Sequence, residues 1–198
     1  MKELHERISA DAYHVVHLDM HGGVVRWADI SGWDHVEWER REPLGALHEW
    51  QGDQAILLFS EGAAGSNIVP VTAEELGRVM AHAEAPPLLT LNACQSGVMP
   101  GDPKHAALPA YLVEAGVSGV VGFQGNVGVD LAVIFYSKFF AALAPTNRGS
   151  KVLTGDVEYA VREARKALHM NPDRGSNRRV DWWAPVYYAS RNLQLFRR

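Results

Sequence analysis

Several short runs in this chain are apolar at nearly every position, and they constrain its fold more than any other feature. "AILLFS" (55–60), "LLTLNA" (88–93) and "VSGVVGF" (117–123) lack the alternate polar residues of a strand with one wet face, so they predict strands buried on both sides. "YHVVHLD" (13–19) and "WAPVYYA" (183–189) complete the set of strand candidates. Segments of helical period lie between them. In "TAEELGRVMAHA" (72–83), Thr72 and Glu75 have capping-box spacing, and Leu76, Val79, Met80 and Ala83 form an apolar stripe. "AALPAYLVEAG" (106–116), "DLAVIFYSKFFAALA" (130–144) and "VLTGDVEYAVREARKALHM" (152–170) read as further helices. The alternation predicts an α/β fold of three layers: one mostly parallel sheet with helices on both faces.

The size of the chain suits a single core. It has 198 residues, 47% of them hydrophobic, which is enough for one sizeable domain. Two polar stretches, "TNRGSK" (146–151) and "NPDRGSNRRVD" (171–181), read as surface linkers and not as domain boundaries. The stretch from 27 to 51 carries four of the six tryptophans among many charges, and reads as a long excursion that covers something. A net charge of -4 gives no basic footprint, so neither nucleic acid nor an anionic membrane is expected as a partner. The single cysteine forms no internal disulfide, and "MKELHERISADAY" lacks the apolar core of a signal peptide, so a reducing cytoplasm is the expected location. Even the most apolar helix contains Ser137 and Lys138 and stops at Pro145, short of a membrane span. The glycines at 116, 119, 122, 125 and 128 match no phosphate-binding pattern, and no cofactor is expected.

The chemistry gathers at two predicted strand ends, the place where α/β sheets hold their functional groups. His21 follows one run and precedes Gly22-Gly23; Cys94 follows another and precedes Gln95-Ser96-Gly97. A thiol is a useful nucleophile only as thiolate, and an imidazole within reach can take its proton and later return one to a leaving amine. Gly22 lets a backbone N–H approach a substrate carbonyl, and the N–H of Cys94 is a second candidate donor to the oxyanion. Taken singly, Cys94 also reads as a small buried hydrophobe and His21 as a structural histidine.

The blocks "VVHLDMHGG", "LLTLNACQSG", "LVEAGVSGVVGFQGNV" and "DWWAPVYYA" resemble, in that order, the CHAT domain, a bacterial relative of caspases and separases. The resemblance runs from about Tyr13 to Ala189. It implies a caspase-like fold over residues 1–198, with the strand-helix-strand unit that usually precedes the histidine strand either lacking or supplied by other material. It further implies a cysteine endopeptidase with His21 and Cys94 as a dyad, Gly22 and Cys94 as oxyanion donors, a protein or peptide substrate, and control by a partner or an upstream repeat or sensor module. Asn92 stands where relatives that cut after Lys or Arg commonly carry aspartate. Asp19, Gln124 and Asn126 are the other candidates for the substrate pocket.

Two further readings use the same residues. His17, Asp19 and His21 alternate, so on one continuous strand they would share a face and could ligate iron or zinc. Alternatively, the fold acts only as an interaction scaffold, with the tryptophan-rich excursion as part of its surface.

Overall fold

The computed structural model describes residues 2–11, 13–33, 36, 44, 48–61, 67–82, 87–93, 108–144, 155–170 and 181–196. Two sheets organise them. The larger is built from β1 (Val15–Asp19), β5 (Leu88–Asn92), β6 (Gly119–Phe123) and β7 (Pro185–Ala189), in the order β1-β5-β6-β7. The first three strands are parallel and β7 runs antiparallel along β6. The smaller sheet holds β2 (His21–Arg26), β3 (Asp53–Glu61) and β4 (Asn67–Thr72), all antiparallel.

The three-layer arrangement expected from the apolar runs is present. Period-two alternation along the parallel strands sends Leu18, Leu89, Leu91 and Val120 into one core, with Leu88, Val121 and Phe123 in the other. The first core is closed by α1 (Lys2–Ala10), α3 (Ala73–His82), α4 (Leu108–Glu114) and the inner face of the small sheet through Leu57, Val69 and Val71. The second is closed by α5 (Val129–Leu143) and α6 (Val157–His169), which pack on each other. Among the described residues no helix is long and apolar enough to cross a membrane.

One expectation is corrected. The run at 55–60 is not part of the parallel sheet: β3 is the centre of the small antiparallel sheet, flanked by β2 and β4. A strand central in any covered sheet is apolar throughout, so the pattern could not distinguish the two. The short helix α2 (Trp27–Ile30) and the bridge between Val36 and Ile68 place the described parts of the tryptophan-rich excursion beside this small sheet. There Trp27 meets Trp50 edge to face, ring centroids 5.1 Å apart.

Local chemistry sets the helix ends. The capping box at α3 forms as spaced: the Thr72 N–H and hydroxyl donate to Glu75 Oε2 at 2.9 and 3.0 Å, and the Glu75 N–H donates to Thr72 Oγ1 at 3.3 Å. At α6 the Asp156 carboxylate accepts from the Tyr159 N–H at 2.9 Å. Gly155 just before it has φ +85°, and a Cβ there would stand 2.8 Å from the Phe196 nitrogen, so both conformation and space demand glycine.

Candidate active site

The site begins with the register of two neighbouring parallel strands. β1 pairs with β5 so that Asp19 lies opposite Asn92, and the Met20 N–H donates to the Asn92 carbonyl at 3.1 Å. Both strands therefore stop level with each other. Met20 and His21, which continue the chain beyond β1, emerge at the same edge as Ala93, which continues it beyond β5. β2 then carries the chain away from His21 into the small sheet, pairing His21 with Leu58.

A cleft of about 690 Å³ opens at this edge. Asp19, His21, Asn92 and Ala93 line it from the strand ends. Its remaining wall is mostly apolar: Phe59 and Ile68 come from the small sheet, while Phe123, Val127 and Val129 come from the end of β6 and the start of α5. His21 is exposed, as a group that exchanges protons with a substrate must be. Cys94 lies outside the described residues; the residue before it, Ala93, is in the cleft wall.

The other sequence candidates take different places. The Asn92 amide donates to Asp19 Oδ1 at 2.8 Å, so these two form one unit on the floor of the cleft, with the carboxylate fixed by its neighbour. Gly22 comes directly after His21 in β2, paired with Leu57. The Gln124 amide donates to the Trp183 carbonyl at 3.0 Å, and its N–H donates to Ala184, which ties the end of β6 to the entry of β7. Among the described residues, neither Gln124 nor Asn126 lines the cleft.

The metal reading is corrected by the backbone. The strand that carries His17 and Asp19 ends at Asp19, and His21 opens a strand of the other sheet, so the alternation that would align the three is broken at Met20. His17 Nδ1 lies 2.7 Å from Thr90 Oγ1, with its ring packed on Tyr136 and Phe140 at centroid distances of 4.7 and 5.6 Å. Among the described residues no group of three His, Cys, Asp or Glu is arranged to hold a metal ion. Partial burial pulls the His17 imidazole below its ordinary pKa, although Asp19 and the contact with Thr90 oppose the shift. The neighbouring Tyr136 hydroxyl is buried with no hydrogen-bond partner among the described residues, and burial raises its pKa.

Sequence reasoning missed the small-sheet wall of the cleft. Leu58, Phe59, Ser60 and Ile68 reach it only because β2 turns back and pairs with β3, a long-range pairing for which the local pattern holds no signal.

A mostly parallel sheet covered on both faces, with a histidine and the approach to a cysteine at adjacent strand ends, defines a caspase-like α/β domain. The family model for the CHAT domain matches residues 1–192, and the chain belongs to that family. CHAT domains are related to the caspase-like cysteine peptidases. No curated protein matches the chain.

Proposed function

We propose that this protein is a cysteine endopeptidase with His21 and Cys94 as its dyad. The observation that carries the reading is the level ending of β1 and β5, which brings His21 and Ala93, the neighbour of Cys94, to one cleft. In the proposed reaction His21 takes the Cys94 proton and the sulfur attacks the scissile carbonyl carbon. The resulting oxyanion is held by the N–H groups of Gly22 and Cys94. The C–N bond then breaks as His21 gives its proton to the leaving amine, leaving a thioester. Water, deprotonated by the same imidazole, releases the acid and restores the thiol.

Substrate choice in this reading rests on Asp19 and Asn92. Their hydrogen bond leaves a fixed carboxylate in the cleft wall, and such a group favours a Lys or Arg side chain on the acyl side of the cleaved bond. The apolar wall receives the flanking residues of an extended polypeptide. A regulatory partner or an upstream module remains part of the proposal.

A peptide library assayed with wild type, Cys94→Ala, His21→Ala and Asp19→Asn tests the whole reading. Cys94→Ala is expected to be inactive while folded, His21→Ala to lose about 10²–10⁴ in rate, and Asp19→Asn to lose its preference for basic residues while still cleaving. Undiminished cleavage by Cys94→Ala rejects the mechanism. Wild type that binds peptides without cleaving them, with or without added partner, favours the scaffold reading instead.

A further inference from the structure

The described residues form a concavity larger than the cleft beside His21. A groove of about 1390 Å³ runs between α6 and the edge strand β7. Arg162, Arg165 and Lys166 line it from the helix, Arg191 lies beyond the end of the strand, and Trp182 and Tyr188 supply aromatic surface. Two carboxylates stand at one end, Asp156 and Glu158, and the first already caps α6. In a chain of net charge -4, a groove wall bearing four Lys and Arg side chains is a local reversal of sign.

Arg165 is the least ordinary member. Its guanidinium donates to the Pro185 carbonyl through Nε at 2.9 Å and also through Nη2, and among the described residues it has no carboxylate partner. Burial alone lowers its pKa, with no acid opposing the shift. A half-buried cation held by a backbone carbonyl is under-compensated, and an anion in the groove would complete its electrostatic environment.

The strand beside it is ready for a partner. The Gln124 N–H donates to the Ala184 carbonyl, which fixes the phase of the antiparallel ladder between β6 and β7. By the two-residue alternation of such ladders, Val186 and Tyr188 turn their backbone groups toward β6, while Tyr187 and Ala189 turn theirs outward. The Pro185 carbonyl, in the same phase as Tyr187, points outward too, and there Arg165 takes it. Among the described residues no strand pairs with that outer edge.

We propose that the groove between α6 and β7 binds an extended, acidic segment of a partner protein, which adds as a strand to β7 and sets its Asp or Glu side chains on Arg162, Arg165 and Lys166. Backbone pairing with Tyr187 and Ala189 supplies affinity, and the cations select the sequence. β7 starts opposite Phe123, which lines the candidate active site, and runs away from it, so the groove is a separate docking surface on the same sheet. This inference is independent of peptidase activity.

Fluorescence anisotropy with the full chain, both wild type and Cys94→Ala, tests it using a labelled short peptide of alternating Glu and Val. The controls are the Lys-Val peptide, the Glu-Val peptide N-methylated at alternate residues, and oligothymidylate. The Glu-Val peptide should bind both proteins, weaken as salt is raised, and lose about tenfold or more in affinity to Lys166→Glu combined with Arg191→Glu. Those side chains are exposed, so the substitutions spare the core; Arg165→Met, paired with a folding check by circular dichroism, should act in the same direction. N-methylation should abolish binding. Equal binding of acidic and basic peptides, tighter binding of oligothymidylate, indifference to N-methylation, or a homodimer that the peptide does not dissociate would each overturn the proposal.

Discussion

At the scale of single residues, the His17 imidazole shows how position on a strand decides chemistry. Its spacing to Asp19 and His21 suggests a ligand set, yet one irregular residue, Met20, is enough to send the third member into another sheet. The result is an imidazole between Thr90 and two aromatic rings, held below its ordinary pKa by partial burial. In the unfolded chain the same group titrates near 6.5. As pH falls below that value the unfolded state therefore takes up a proton that the folded state resists, and stability declines until the folded pKa is passed. At pH above 7 both states are neutral there and His17 contributes nothing to the slope. Urea denaturation at pH 7.5, 6 and 5 should show less acid destabilisation in His17→Phe than in wild type; parallel curves would remove His17 as a source of the effect.

At the scale of elements, the ends of α6 matter because that helix forms one wall of the basic groove. Its N-cap is the Asp156 carboxylate on the Tyr159 N–H, so Asp156→Ala should destabilise the protein by about 1 kcal/mol in chemical denaturation while Asp156→Asn retains most of the stability. A loss shared equally by Asn and Ala would mean that charge, not the cap, is what counts. Elements also mark what the sequence could disclose. β5, β6 and the stripe of α3 were legible because burial on both faces and a capping box are local signals written in consecutive residues. β2 was not, since "HGGVVR" carries two glycines and no strict alternation, and its strand character comes from pairing with β3 across the tryptophan-rich excursion. α1 is mostly polar, with Ile8 its buried residue, so its packing on α3 is invisible until both are placed. The candidate site divides in the same way. Asp19, His21 and Asn92 reach one cleft because strand ends can be read from sequence. The placement of Gln124 depends on the antiparallel pairing of β7 with β6, and although 183–189 reads as a strand, no local pattern announces its direction or its partner.

At the scale of the whole molecule, the parallel sheet serves two cores at once, and its stability should reflect that sharing. Leu91 is fully buried against the α3 and α4 side, while Phe135 is fully buried in the aromatic layer of α5, 5.5 Å from Phe123 and 5.9 Å from Phe139 by ring centroid. Truncating either to alanine opens a cavity worth about 2–5 kcal/mol, a large part of the roughly 5–15 kcal/mol that holds a domain together. The two sites belong to different clusters and are separated by the sheet, so the losses in Leu91→Ala and Phe135→Ala should add in the double variant to within about 0.5 kcal/mol. Yet neither core can melt alone. Strand β5 gives Leu88 to one face and Leu89 and Leu91 to the other, so loosening either helical layer exposes residues that anchor the opposite one. Far-ultraviolet dichroism and tryptophan fluorescence should therefore report a single coincident transition in wild type and in both single variants. Separate transitions, with fluorescence from Trp27 and Trp50 beside the small sheet changing before the helical signal, would mean that the two cores are independent folding units and that the sheet between them does not couple their stabilities.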